Sequence, residues 1–120
     1  MTIRRLKTYT GNTGYVYQYY FVGKRPAITR PADSPTTEYV FDVTSDRKNT
    51  YSISVFFSRA VSDTWAAAHG RSLTDAEQYA AVKMRLFQAF DELDDLSNQG
   101  RRLVIDSSAL ETALSTLGVD

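Results

Sequence analysis

The chain has no cysteine and a single histidine among its 120 residues. Without thiols there is no disulfide, no thiolate metal site and no cysteine nucleophile, and the composition fits a reducing compartment, with the cytoplasm as the expected location. Long apolar runs are missing as well. Residues 19–22 and 53–57, the latter interrupted by Ser54, are among the longest, far short of the ~18 to 20 residues that a membrane-spanning helix requires. The basic start at Arg4, Arg5 and Lys7 leads into Gly11, Asn12 and a run of tyrosines rather than an apolar stretch with a small-residue cleavage site, so no export signal is expected.

The motifs that carry chemistry are equally scarce. No G-x-S-x-G or H-E-x-x-H string is present to recruit His69, which stands beside Gly70 at an expected helix end, where a cation complements the helix dipole. Gly11 and Gly14 lack the following lysine and helix of a phosphate-binding loop, and Gly23-Lys24 lacks its upstream glycine. Asp91, Glu92, Asp94 and Asp95 crowd the C-terminal end of a helix, the end that disfavours negative charge, yet nothing around them has the spacing of an oxygen cage for calcium. No cofactor and no metal are expected, and no residue is assigned a catalytic role.

Proline is confined to one place. Pro26, Pro31 and Pro35 all fall in residues 23–37, expected as an exposed loop because proline removes backbone donors and blocks a central strand. On either side the pattern has period two. Residues 3–10 and 15–22, joined by Gly11-Asn12-Thr13-Gly14, read as one hairpin, and residues 38–44 and 50–57, joined by a polar turn at 45–49, read as another.

The period then lengthens. Ser62 is positioned to cap a short helix that Gly70 ends, and Thr74-Asp75-Ala76-Glu77 is a capping box for a longer one, with Tyr79, Val82, Leu86, Phe90 and Leu93 on one stripe. Phe87 lies about 80° around that helix from Tyr79, placed either to reach a second surface or to pack under the short helix. Residues 101–106 have the makings of a short fifth strand. Ser108-Ala109-Leu110-Glu111 reads as a second capping box for a helix closed by Gly118. The expectation is a single α+β domain over 1–120: a four-stranded antiparallel meander, with a possible fifth strand, covered on one face by two or three helices in the order ββββααβα.

What the chain has in abundance is tyrosine, eight in all, alongside six phenylalanines. It also has a lopsided charge: residues 1–60 hold nine Lys and Arg against four Asp and Glu, whereas residues 61–120 hold five against ten, for a net charge of zero. Tyr15, Tyr17 and Tyr19 share one side of the second strand, and Lys24, Arg25 and Arg30 follow in the proline segment. Aromatic rings with polar tips beside cations suit a contact surface. The expected function is therefore a non-catalytic module that binds a protein partner or its own copy through Tyr15, Tyr17, Tyr19, Lys24, Arg25 and Arg30. Two alternatives stay open: binding of single-stranded nucleic acid by the same face, and a small-molecule pocket or enzyme between sheet and helix, lined by Tyr79, Trp65 and His69. A plainer reading stands beside all three, since tyrosine is a favoured strand residue and its ladders stabilise sheets without binding anything.

Overall fold

A computed structural model describes residues 6–12, 14–28, 33–93 and 96–119. Five strands lie side by side in chain order, β1 (Lys7–Thr10), β2 (Val16–Pro26), β3 (Thr36–Thr44), β4 (Tyr51–Ser58) and β5 (Arg102–Val104). The first four form the antiparallel meander, and β5 runs parallel to β4 because the chain crosses the helical layer before returning to the sheet. The helices are α1 (Arg59–His69), α2 (Asp75–Glu92), the single turn α3 (Leu96–Gln99) and α4 (Ser107–Thr116). This is the expected α+β order, with α3 as an addition.

Strand alternation decides which side of the sheet is covered. Tyr17 and Tyr19 on β2, Tyr39, Phe41 and Val43 on β3, and Ile53, Val55 and Phe57 on β4 are buried on one side. Val82, Leu86 and Phe90 of α2, Trp65 of α1, and Leu110 and Leu114 of α4 complete the same core. The α2 stripe read from spacing is the buried one, and Ala81 and Ala89 beside it are buried as well. Burial pushes the phenols of Tyr19, Tyr39 and Tyr79 up from their ordinary value, since an ionised ring has no water there.

Several boundaries move, each for a local reason. Gly23–Pro26 continues β2 and Thr36 and Thr37 begin β3, so the connection between these strands is shorter than residues 23–37; Pro26 is tolerated at a strand terminus. Helix α1 starts earlier than Ser62, because the Ser58 hydroxyl accepts from the Val61 backbone N–H at 3.2 Å. Helix α4 is capped by Asp106, whose carboxylate accepts from the Ala109 N–H at 2.7 Å, and not by Ser108. In both cases a competing cap residue of suitable chemistry stood within four positions.

Two other expectations resolve into one arrangement. Phe87 reaches the sheet edge and stacks flat on Tyr9 of β1, with ring centroids 4.5 Å apart. One turn further along, Asp91 accepts from the Tyr9 hydroxyl at 2.8 Å and from the Asn12 backbone N–H at 3.0 Å. The first hairpin thus supplies donors to a carboxylate that the helix end disfavours. Asp94 and Asp95 lie outside the described residues.

Candidate functional site

The helices cover one side of the sheet, and among the described residues nothing covers the other, the bare side. On the bare side the register aligns Tyr20 with Asp42 and Asp42 with Ser52, then Arg25 with Glu38 and Glu38 with Phe56, and finally Phe56 with Val104. Val16, Val40 and Ser54 fill positions between them. Val16 and Val104 are exposed, and Val40, Tyr20 and Phe56 are half-buried by their neighbours.

The polar groups on this side are bonded to one another. Asp42 accepts from the Tyr20 hydroxyl at 2.6 Å and from the Ser52 hydroxyl at 3.1 Å. Glu38 accepts from the Arg25 guanidinium at 3.1 Å and from the Ser54 hydroxyl at 2.5 Å. Those two donors, Arg25 foremost, hold the Glu38 carboxyl below the usual carboxylate range. Arg102 lies over the Phe56 ring, 4.6 Å from its centroid. The face therefore carries two cations and two anions, of which Arg25, Glu38 and Asp42 are hydrogen-bonded inside the sheet and Arg102 rests on the Phe56 ring, with apolar side chains between them.

A bulge in β2 creates this arrangement. The register against β3 shifts between Phe21 and Gly23, and the extra residue reverses which side the following side chains take. Lys24 consequently sits on the helix side with its amine 5.9 Å from the Tyr39 ring centre, and Arg25 sits on the bare side against Glu38. Without the bulge the two would exchange sides.

The five described residues among the six singled out in the sequence are thus dispersed. Tyr17 and Tyr19 are 3% and 4% exposed and belong to the core, where Tyr17 stacks on Phe90 at 4.4 Å. This corrects the expectation of a shared tyrosine surface: the helices of the second half of the chain require the aromatic side of β2 as their floor. Tyr15 alone of the three is exposed, and it lines a shallow cleft of about 310 Å³ with Ser45, Asp46, Asn49 and Ser97. Lys24 and Arg25 lie on opposite sides of the sheet, and Arg30 lies outside the described residues. Val40, Phe56 and Val104, none of them among the expected site residues, are on the bare side; their alternation with buried residues was the available signal.

The expected pocket of Tyr79, Trp65 and His69 divides into two groups. Tyr79 packs on Phe21 at 4.9 Å. Trp65 is buried under His69, stacked at 4.2 Å, and under the Arg71 guanidinium at 5.1 Å. His69 in turn meets Glu111 of α4 at 2.8 Å, which ties α1 to α4. A cavity of about 460 Å³ lies elsewhere, between α2, α4 and the end of β5. Its polar groups serve the fold, since Arg85 donates to the Val104 carbonyl at 3.1 Å and Asp106 caps α4. Among the described residues no group of three His, Asp or Glu is placed to hold a metal, and no helix is long and apolar enough to cross a membrane.

Compared with protein families, with curated proteins and with solved structures, the chain has no significant match, so geometry alone carries the functional argument.

Proposed function

We propose that this protein is a non-catalytic binding module that acts by protein–protein contact through the bare side of its sheet, with a second copy of the chain as the occupant. The observation that carries the reading is the mutual pairing of Asp42, Tyr20 and Ser52 and of Glu38, Arg25 and Ser54. Burying a charged group is costly unless its partners are already in place. Here the partners come from neighbouring strands, so covering this face strands few polar groups.

A second copy suits the face because Arg25 and Arg102 balance Glu38 and Asp42, and two neutral surfaces meet about a two-fold axis without like-charge repulsion. Three long strands spaced ~4.8 Å apart, flanked by two short ones, present roughly 500 Å². That is near the low end of what one partner contributes to a specific complex, ~600 Å², and indicates a reversible dimer. The absence of cysteine suits a reducing compartment, and the cytoplasm is the location this reading assigns.

Sedimentation velocity over a range of concentrations tests it. The expected result is a monomer–dimer equilibrium that Val104→Asp weakens at least tenfold while circular dichroism stays native. A wild-type chain that remains a 13.5 kDa monomer up to millimolar concentration overturns self-association through this face.

A further inference from the structure

The cavity of about 460 Å³ between α2, α4 and the end of β5 combines apolar walls with two opposite charges. Ala81 and Ile105 on its walls are buried, and Ala109 and Ala113 are half-buried. Arg85 of α2 and Asp106, the cap of α4, line the same space. The volume is within the ~300 to 1,000 Å³ of small-molecule sites, which set a few placed polar groups among apolar side chains.

Each charged group serves the fold with one atom and keeps the rest. The Arg85 Nε–H donates to the Val104 carbonyl at 3.1 Å, which anchors the guanidinium at the end of β5. The Asp106 Oδ1 accepts from the Ala109 N–H at 2.7 Å, which anchors the carboxylate at the first turn of α4. Among the described residues, the two Arg85 Nη groups and the Asp106 Oδ2 have no partner. Nor do Arg85 and Asp106 pair with each other there. Opposite charges attract, yet these two are tied to different elements and stay apart in one cleft.

The groups left over define what complements them. A guanidinium fixed at Nε offers its Nη fork to a carboxylate, and a carboxylate fixed at Oδ1 offers Oδ2 to an ammonium. A molecule that carries both groups on a short aliphatic skeleton meets the two charges and the apolar walls together. One with a single charge leaves either Arg85 or Asp106 unmet.

We infer that Arg85 and Asp106 bind the carboxylate and the ammonium of a free aliphatic amino acid, whose side chain lies against Ile105, Ala109 and Ala113. The site stands independently of the proposed dimer contact, which uses the Val104 side chain rather than the carbonyl that holds Arg85.

Amide and guanidinium NMR on the intact chain tests the site, with L-leucine as the probe. The expected result is a saturable shift at the Arg85 Nε–H and at the Ala109 and Ala113 amides. Asp106→Asn keeps the helix cap, because asparagine caps as well as aspartate, and removes the charge; it weakens binding about tenfold or more. Arg85→Gln, which retains a donor for the Val104 carbonyl, does the same, and Lys48→Gln at the hairpin turn between β3 and β4 leaves binding unchanged. Isocaproate, which lacks the ammonium, and isoamylamine, which lacks the carboxylate, each bind about tenfold or more weakly than L-leucine. A shift that grows linearly without saturating, a single-charge analogue that binds as tightly as L-leucine, or wild-type affinity in a folded Asp106→Asn or Arg85→Gln variant overturns the site.

Discussion

The two sides of this sheet are built from the same strands and differ in how each satisfies its side chains. On the helix side, satisfaction comes from distant parts of the chain: Phe90 of α2 meets Tyr17 of β2, and Asp91 meets Tyr9 of β1. On the bare side it comes from the next strand, through Tyr20 with Asp42 and Arg25 with Glu38. The first kind of contact builds the core and the second prepares a surface. A side chain's aromatic character therefore says little about its role until the side it faces is known.

The sharpest way to break this contrast is to truncate one ring on each side. Phe90→Ala removes a fully buried ring and is expected to cost about 3 to 5 kcal/mol in chemical denaturation. Phe56→Ala on the bare side is expected to cost about 1 kcal/mol or less. Equal losses would mean the bare side is as much a core as the covered one.

Association gives the next largest effect, with the sides reversed. Val104→Asp is expected to weaken dimerisation at least tenfold, about 1.4 kcal/mol, with little change in folding stability. Because the face carries no net charge, the dimer should respond weakly to added salt. Strong salt sensitivity would instead favour contact between the basic first half of one copy and the acidic second half of another.

A smaller effect is expected at the N-terminus of α2, where Thr74 and Glu77 form a reciprocal capping box and Arg71 grips Glu77 with two hydrogen bonds. Thr74→Ala should cost about 1 kcal/mol, visible in thermal unfolding. Asp91→Ala should loosen the first hairpin, read as faster amide exchange at Asn12.

The pH dependence is the mildest expectation, since the groups concerned lie at the surface. Asp46 is held at about 2 by the Asn49 and Lys48 N–H groups of its turn, and Glu77 at about 2 by Arg71. A depressed carboxylate contributes stability that is fully present above its unfolded value of ~4 and is lost as pH falls through the folded value. Stability should thus decline between about pH 4 and pH 2, and Asp46→Asn should flatten that decline. An unchanged profile in the variant would remove Asp46 from the account.

Much of the fold was legible because it rests on local signals. The capping box at Thr74, the stripe through Val82, Leu86 and Phe90, and the alternation in β3 and β4 each depend on neighbours within a few residues. The choice of Ser58 over Ser62 and of Asp106 over Ser108 was not legible, because both candidates have the right chemistry. The candidate site was harder still. Tyr17 and Tyr19 look the same in sequence as Tyr20, and only the packing of α2 sends the first two inward.

By itself, the sequence determined that strands come first and helices follow, where α2 begins, and that chemistry by thiols was excluded. These follow from side-chain periodicity, capping and composition, which act over one or two turns. Only the tertiary structure decided that Tyr17 and Tyr19 are core and that Lys24 and Arg25 part to opposite sides at the β2 bulge. Each of these depends on register between segments far apart in the chain, and a shift of one residue moves every following side chain to the other side of the sheet.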